Sequence, residues 1–265
     1  MNATLLATRD GTVATLTLNR PDSLNALDTD MIDALVAHTA TLAADASVRC
    51  VVINGAGKHF MAGGDIRMFA AELDTEPDER RRLFTAIIAR VHAAIEQIHR
   101  MPQPVVASVH GAVAGFGMSL MGACDLAIAA DTAYFTSAYS HIGLTPDGGS
   151  TWTLPRVVGL KKAMEIVLLA DRFDAQEALS LGLVNRVVPA AELARATAAV
   201  AGALARGPAL ALANGKRLLN ASLGQSLSEQ LSAEASSFGA CAARSDFAEG
   251  IRAFLEKRPP RFDGA

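Results

Sequence analysis

Twenty consecutive residues without a formally charged side chain, Val105 to Cys124 (VVASVHGAVAGFGMSLMGAC, His110 taken as neutral), constrain this chain more than any other stretch. A run of that length can cross a bilayer as a helix, and Gly111 with Gly115 has the small-xxx-small spacing that lets membrane helices pack. Four glycines interrupt the run, however, His110 sits inside it, and Asp125 and Asp131 follow it. The stretch is therefore read as a buried strand, a glycine turn and a buried helix, not as a membrane span. A chain of 265 residues that is 51% hydrophobic and 19% charged has enough apolar material to bury both.

Other segments repeat that pattern. TVATLTLNRP (12–21) alternates as a half-buried strand does and stops at Pro21. Thr29 is placed to cap a helix with Asp30 and Asp33 in its first turn, and Met31, Leu35 and Leu42 form its apolar stripe. CVVINGAG (50–57) is a continuous apolar run closed by glycines, the mark of a strand covered on both faces. The polar stretch AELDTEPDERRR (71–82) is expected as a loop, after which Leu83, Ile87, Val91, Ile95 and Ile98 recur at helical spacing. PVVASVHG (104–111) and CDLAIAAD (124–131) are two further buried strands. Strands alternating with helices require crossover connections and parallel pairing, so the fold class is α/β. Asp174 and Glu177 have the spacing of a capping box, and Gly182 is placed to end the helix they begin. Beyond Ala190 nearly everything reads as helix. The chain thus divides into an α/β core over residues 1–190 and a helical portion over residues 191–265.

Charge and cysteine content exclude some functions. Lys plus Arg is 24 against 27 Asp plus Glu, a formal net charge of −3, which argues against a protein that works on nucleic acid through a basic face. Cys50, Cys124 and Cys241 are far apart and lack metal-ligand spacing, as expected of buried thiols in a reducing compartment. MNATLLATRDGTVA shows no cationic start followed by an apolar core, so no signal peptide is expected and the location is read as cytoplasmic.

In open α/β sheets ligands gather where strands give way to loops. Two such exits are rich in glycine, GKHFMAGGDI (57–66) and VHGAVAGFGMSL (109–120). Glycines let a backbone come close to another group, and free N–H groups at a helix start hold developing negative charge. Two aimed at one oxygen would form an oxyanion hole. GFGMSL lacks the further glycine of a dinucleotide fingerprint, which would fall at Leu120, and no GxxxxGK[ST] phosphate loop is present.

In combination these segments resemble the crotonase superfamily, the enoyl-CoA hydratases and isomerases, over nearly the whole chain. The resemblance is carried by LTLNRPDSLNALD (16–28), HFMAGGDIRMF (59–69), residues 104–131, IGLTPDGGSTWTLPRVVGLKKAMEIVLLADRFDAQEALSLGLVNRVVP (142–189) and DFAEGIRAFLEKRPPRF (246–262), in that order. It implies a spiral of strand–strand–helix units with an all-helical C-terminal trimerisation portion, assembly as a homotrimer or a homohexamer built from two trimers, and acyl-CoA substrates. Coenzyme A is then part of the substrate, and no separate cofactor or metal is expected. In this family the oxyanion donors are the N–H groups of the residues matching Gly64 and Phe116. Ala62, Gly63, Asp65, Ile66 and Gly115 then border the substrate, with Asp65 read as the cap of the next helix rather than as a participant in chemistry. The resemblance also places basic residues near the CoA phosphates: Lys257 and Arg258, from this or a neighbouring subunit, and less firmly Lys58 and Arg20.

Hydratases of the family carry two glutamates at positions that correspond here to Ser119 and Tyr139. Neither is a carboxylate, and both are expected at the substrate. A phenol with an ordinary pKa near 10 is a poor base at neutral pH. Asp147, alone among carboxylates between Asp131 and Glu165, sits instead in GLTPDGG. That loop looks like the one in isomerases of phenylacetate degradation, where an Asp carries the proton. One acid that collects a proton from one carbon and returns it to another suffices for a double-bond shift. Three alternatives are a residual hydratase, an enzyme like 4-chlorobenzoyl-CoA dehalogenase with Asp147 as nucleophile, and a non-catalytic member that binds CoA, RNA or protein. His59 and His110, which flank the two turns, are read as supports, and His141, near enough to serve as a base but without a visible partner, as a structural histidine.

Overall fold

The computed structural model describes residues 3–263. β1 (Leu5–Asp10) and β2 (Val13–Leu18) form an antiparallel hairpin, and Ala14, Leu16 and Leu18 of β2 alternate into the core. The next helix, α1 (Thr29–Ala44), is capped one residue earlier than its sequence suggests: the Asp28 carboxylate, not Thr29, accepts the Met31 N–H at 2.9 Å. An aspartate combines the capping acceptor with a charge that suits the helix dipole. β3 (Cys50–Gly55) follows, then a short α2 (Ile66–Ala70) and a long α3 (Pro77–Arg100). The polar stretch at 71–82 is loop only in its first half. Pro77 opens α3, and Asp78 and Glu79 lie in its first turn, where acids stabilise a helix N-terminus.

The uncharged run folds as β4 (Val105–Val109), β5 (Ala112–Ala114) and α4 (Phe116–Ala123), so a second short strand stands between the glycine turn and the helix. β6 (Leu126–Ala130) and β7 (Tyr134–Thr136) repeat the arrangement. α5 (Ser150–Val158), α6 (Leu160–Leu169), β8 (Phe173–Asp174), α7 (Ala175–Ser180) and β9 (Arg186–Val188) complete the core. Asp174 caps α7 through the Glu177 N–H at 2.9 Å, but the reciprocal half of a capping box is absent because the Glu177 carboxylate accepts from Lys162 at 3.0 Å.

The large sheet has the order β1-β2-β3-β4-β6-β9, parallel throughout except for the β1–β2 hairpin, and a small sheet has the order β5-β7-β8. Each of the pairs β4–β5 and β6–β7 places its first strand in the large sheet and its second in the small one. Repeated with an intervening helix, this is the strand–strand–helix spiral.

One face of the large sheet packs against α1, α3 and α4 through residues such as Leu16, Ile53, Ala107, Leu35, Ile98 and Leu120. The other face carries a smaller apolar layer in which Cys50, Val52, Val106 and Ile128 meet Leu193 and Ala201 of α8 (Leu193–Ala205). α8 therefore lies on the sheet, although it falls within the helical portion drawn from residue 191. α9 (Ala209–Ser222), α10 (Leu227–Ala242) and α11 (Ser245–Leu255) follow and expose large apolar side chains, among them Leu219, Phe238 and Phe254. α9 is tied to the core by Lys216, whose Nζ reaches Asp125 at 2.8 Å and the carbonyls of Ile98 and Gln103 at 2.9 and 3.2 Å. The three cysteines are free, and burial lifts the Cys50 thiol to about 12. Among the described residues no single helix is long and apolar enough to cross a membrane.

Candidate active site

The two glycine turns meet. Beyond β3, Met61 pairs with the start of the small sheet, donating to Ala112 at 3.0 Å and accepting from Ala114 at 2.9 Å. Two residues on, the Gly63 carbonyl accepts from Leu27 at 2.8 Å and the Asp65 amide donates to the Leu27 carbonyl at 2.9 Å. The Gly63 carbonyl and the Gly64 N–H belong to one trans peptide unit and point in opposite directions, so the Gly64 N–H faces away from Leu27. The second turn is made by Gly115, at φ 50° and ψ −122°, and leads into α4 with Phe116 as its first residue. The amide at that position has no acceptor within the helix.

Glycine suits both positions by its backbone, with φ 98° at Gly63 and 50° at Gly115, and the two turns come close enough that a Cβ on Gly115 would touch the Gly63 Cα at 3.4 Å and one on Gly63 would lie 3.7 Å from the Phe116 nitrogen. Neither the Gly64 nor the Phe116 amide donates to another protein group among the described residues. They form an adjacent pair of open donors, one of them at the positive end of α4. His59 and His110 support the turns: His59 Nδ1 accepts the Ala112 N–H at 3.0 Å, and His110 Nε2 lies 3.0 Å from the Gly57 carbonyl.

A cavity of about 330 Å³ opens beside these amides, lined by Ala62, Gly63, Gly64, Gly115 and Phe116 at one end. Its walls are apolar. Ile66 and Phe69 come from α2, and Phe84 and Ile88 from α3, with Phe69 set edge-on to Phe84 at 5.4 Å and 83°. The polar side chains among the lining residues are His92, Tyr139, Thr145 and Asp147, and Asp147 is the one carboxylate among them.

Asp147 is held on several sides. The Tyr139 hydroxyl donates to its Oδ1 at 2.5 Å, while the Ser119 Oγ donates to its backbone carbonyl at 2.8 Å and lies 3.3 Å from the Tyr139 oxygen. Burial pushes the Asp147 carboxyl above its ordinary value, and the Tyr139 hydrogen bond only partly opposes that. Burial, then the neighbouring Asp147 charge and hydrogen bond, push the Tyr139 phenol up as well. Tyr139 thus stays protonated as a donor, and Asp147 is a desolvated carboxylate suited to accept a proton.

The remaining expected residues are placed differently. Ser119 is fully buried behind Tyr139 and does not line the cavity, because its hydroxyl is turned to the Asp147 carbonyl. Asp65 caps α2 through the Arg67 N–H at 2.9 Å and pairs with Arg20 at 2.7 Å. Burial alone would raise its carboxyl, but Arg20 and the Arg67 and Met68 amides bring it below the ordinary value. Arg20 is bound by Asp65, by Asp28 at 2.9 Å and by the Ala26 carbonyl, so its guanidinium braces the first turn instead of facing a nucleotide. Lys58 and Lys257 are exposed, and Arg258 is engaged by Glu249 and Glu256 at 2.7 and 2.6 Å. None of Lys58, Lys257 and Arg258 lines the cavity, and His141 is exposed outside it.

His92 went unnoticed in the sequence. Its Nε2 accepts the Gly148 N–H at 3.1 Å, and its ring lines the cavity. The available signal was its spacing: it follows Phe84 and Ile88 at successive intervals of four on α3. No group of three or more His, Cys, Asp or Glu side chains could hold a metal ion among the described residues.

Comparison with known proteins shows what the whole chain is similar to. The sequence model of the family described as enoyl-CoA hydratase/isomerase matches residues 8–265. A Rhodobacter capsulatus protein named "Probable enoyl-CoA hydratase" is 40% identical over 252 residues, covering 95% of each chain. The 1,2-epoxyphenylacetyl-CoA isomerase of Escherichia coli is 34% identical over 253 residues, again 95% of each. A crystal structure of an enoyl-CoA hydratase from Polaromonas sp. JS666 superposes with a TM-score of 0.92 at 36% identity, covering 97% of this chain and 99% of that one.

Proposed function

Because the chain belongs to the enoyl-CoA hydratase/isomerase family of the crotonase superfamily, we propose that it moves a double bond within an acyl-CoA thioester, or rearranges an unsaturated or epoxy ring acyl group, with Asp147 as proton carrier. The observation that carries this reading is the single carboxylate in the cavity that also contains the two open amides. In a 3-enoyl-CoA the Asp147 carboxylate takes a proton from C2. The C–H electron pair then forms a C1–C2 double bond as the carbonyl π pair moves onto oxygen. The amides of Gly64 and Phe116 hold that oxyanion, and loss of one such donor typically costs a factor of about 100–1000 in rate. The charge flows back, C2–C3 becomes the double bond, and C4 takes the proton from Asp147.

Water addition needs a second group to hold and activate the water. The two positions that correspond to the hydratases' glutamates carry hydroxyls here, Ser119 bonded to the Asp147 carbonyl and Tyr139 to its carboxylate. The apolar walls, with the Phe69–Phe84 pair, suit an apolar acyl group. The name of the Escherichia coli relative supports a ring-bearing one.

The same proposal treats CoA as part of the substrate, with no further cofactor, and assigns Lys58, Lys257 and Arg258 to its phosphate end. It divides the chain at residue 190 and uses residues 191–265 for assembly into a homotrimer or homohexamer in the cytoplasm. The exposed apolar side chains of α9–α11 support that assembly, since a patch of this kind on a monomer calls for a partner.

The test is a comparison of substrates. 3-Enoyl-CoA and 2-enoyl-CoA are supplied separately and the products resolved by chromatography. The proposal expects conversion of the 3-enoyl to the 2-enoyl thioester to outrun 3-hydroxyacyl-CoA formation. Faster hydration, or halide release from a 4-chlorobenzoyl thioester without any double-bond shift, overturns it.

A further inference from the structure

We infer that His92 is a positioning residue, which sets the Asp147 carboxyl by holding the peptide group that follows it. The inference rests on the reading of Asp147 as proton carrier.

The carbonyl of Asp147 and the N–H of Gly148 belong to one peptide unit, and both ends of that unit are anchored. The Ser119 Oγ, from α4, donates to the carbonyl at 2.8 Å, with the Ser150 Oγ adding a second contact at 3.1 Å. His92 Nε2, from α3, accepts the N–H at 3.1 Å. Fixing a peptide plane fixes the dihedral on either side of it, and therefore the direction in which the Asp147 side chain leaves the backbone. Tyr139 then holds one carboxylate oxygen.

This matters because the loop has little regular structure to hold it, although the Ser150 N–H also donates to the Asp147 carbonyl at 3.2 Å. Residues 141–145 are exposed, and no regular helix or strand begins until Ser150. α3, by contrast, is 24 residues long, with Val91, Ala94 and Ile98 buried on either side of His92. α4 carries the Phe116 amide. The two anchors therefore reference the base to the oxyanion donor on one side and to the acyl wall on the other, since Phe84 and Ile88 share the α3 face with His92. Accepting the Gly148 N–H requires Nε2 to be unprotonated, so the working ring is neutral with its proton on Nδ1. A hydrocarbon cannot replace this acceptor. The side-chain carbonyl of glutamine can, because it reaches about as far as Nε2.

The experiment measures kcat and KM for 3-enoyl-CoA in His92→Leu and His92→Gln, with thermal melts of both. His92→Leu should lose about 10- to 100-fold in kcat, the range set by a base displaced by up to about 1 Å, with KM changed less than about 3-fold. His92→Gln should recover to within about 5-fold of wild type. Ser119→Ala, which removes the shortest contact at the other end of the same peptide and leaves those from Ser150, should also lower kcat and leave KM alone, so the idea stays testable if the leucine variant fails to fold. Wild-type kcat in His92→Leu overturns the inference. So does a His92→Gln that folds but is as impaired as the leucine variant, because the ring would then act by its own proton chemistry. Absence of any double-bond shift in wild type under the same conditions defeats the proposed function instead, which keeps the two failures apart.

Discussion

Gly148→Ala is the substitution whose consequence can be worked out most fully. Gly148 has φ 56°, a left-handed conformation in which a Cβ costs about 1–2 kcal/mol. A Cβ there would also stand 2.7 Å from the Ser119 Cβ and 2.8 Å from a ring carbon of Phe116. Carbon atoms touch at about 3.5 Å, so the loop must withdraw by most of an ångström or push back the start of α4. Either movement separates Asp147 from the Phe116 amide, and a misplacement of about 1 Å is worth roughly 100-fold in rate. Gly143→Ala is the matched control. Its φ of 72° carries the same backbone strain, but nothing lies within 4 Å of the added Cβ. Both variants should melt a few degrees lower, at about 2–4 °C per kcal/mol for a chain of this size. Assayed on 3-enoyl-CoA, Gly143→Ala should keep kcat within about 3-fold and Gly148→Ala should lose about 100-fold. Equal kcat values in the two variants would refute the reasoning, because strain without displacement would then account for everything seen.

Other expectations follow from single contacts. The Tyr139 hydroxyl favours the ionised form of Asp147. Tyr139→Phe should therefore raise the Asp147 pKa further, and because the base must be ionised to accept a proton, the acidic limb of the kcat–pH profile should move to higher pH; an unmoved limb contradicts the assignment. Gly64→Pro deletes one proposed donor and should cost about 100–1000-fold in kcat, checked against circular dichroism for an intact fold. Lys216 is buried against Asp125, whose carboxyl is itself pushed up by burial despite the nearby lysine. Lys216→Met leaves that carboxylate without its cation and should cost about 3–5 kcal/mol in denaturant unfolding; a loss below about 1 kcal/mol would show the pair to be dispensable.

What could be read from the sequence was what has a period or a run. β3, β4 and β6 announce themselves because strands covered on both faces are continuously apolar, and the α3 stripe follows from helical spacing. β5, β7 and β8 have only two or three residues each, too few for any period, so the small sheet was not foreseen from the residues themselves. The resemblance supplied the spiral instead. The cap at Asp28 was missed because Thr29 beside it is equally competent by type, and only the backbone decides between neighbours. Arg20 reads as a candidate for the CoA phosphates because its partners, Asp28 and Asp65, are brought to it by tertiary folding. Ser119 looked like a contact for substrate, yet a buried hydroxyl takes the nearest acceptor, which here is the Asp147 carbonyl. His92 was hidden for a related reason. Its partner is a backbone amide more than fifty positions away, and no local pattern encodes that contact.

The central claim is tested most directly by incubating the protein with 3-enoyl-CoA in deuterated water and following double-bond position and deuterium uptake together, in wild type and in Asp147→Asn. Wild type should move the bond and take up label at the carbons that exchange hydrogen, and the asparagine variant should do neither, a loss of at least about 100-fold. An Asp147→Asn protein that still isomerises and exchanges at the wild-type rate would mean that some other group carries the hydrogen.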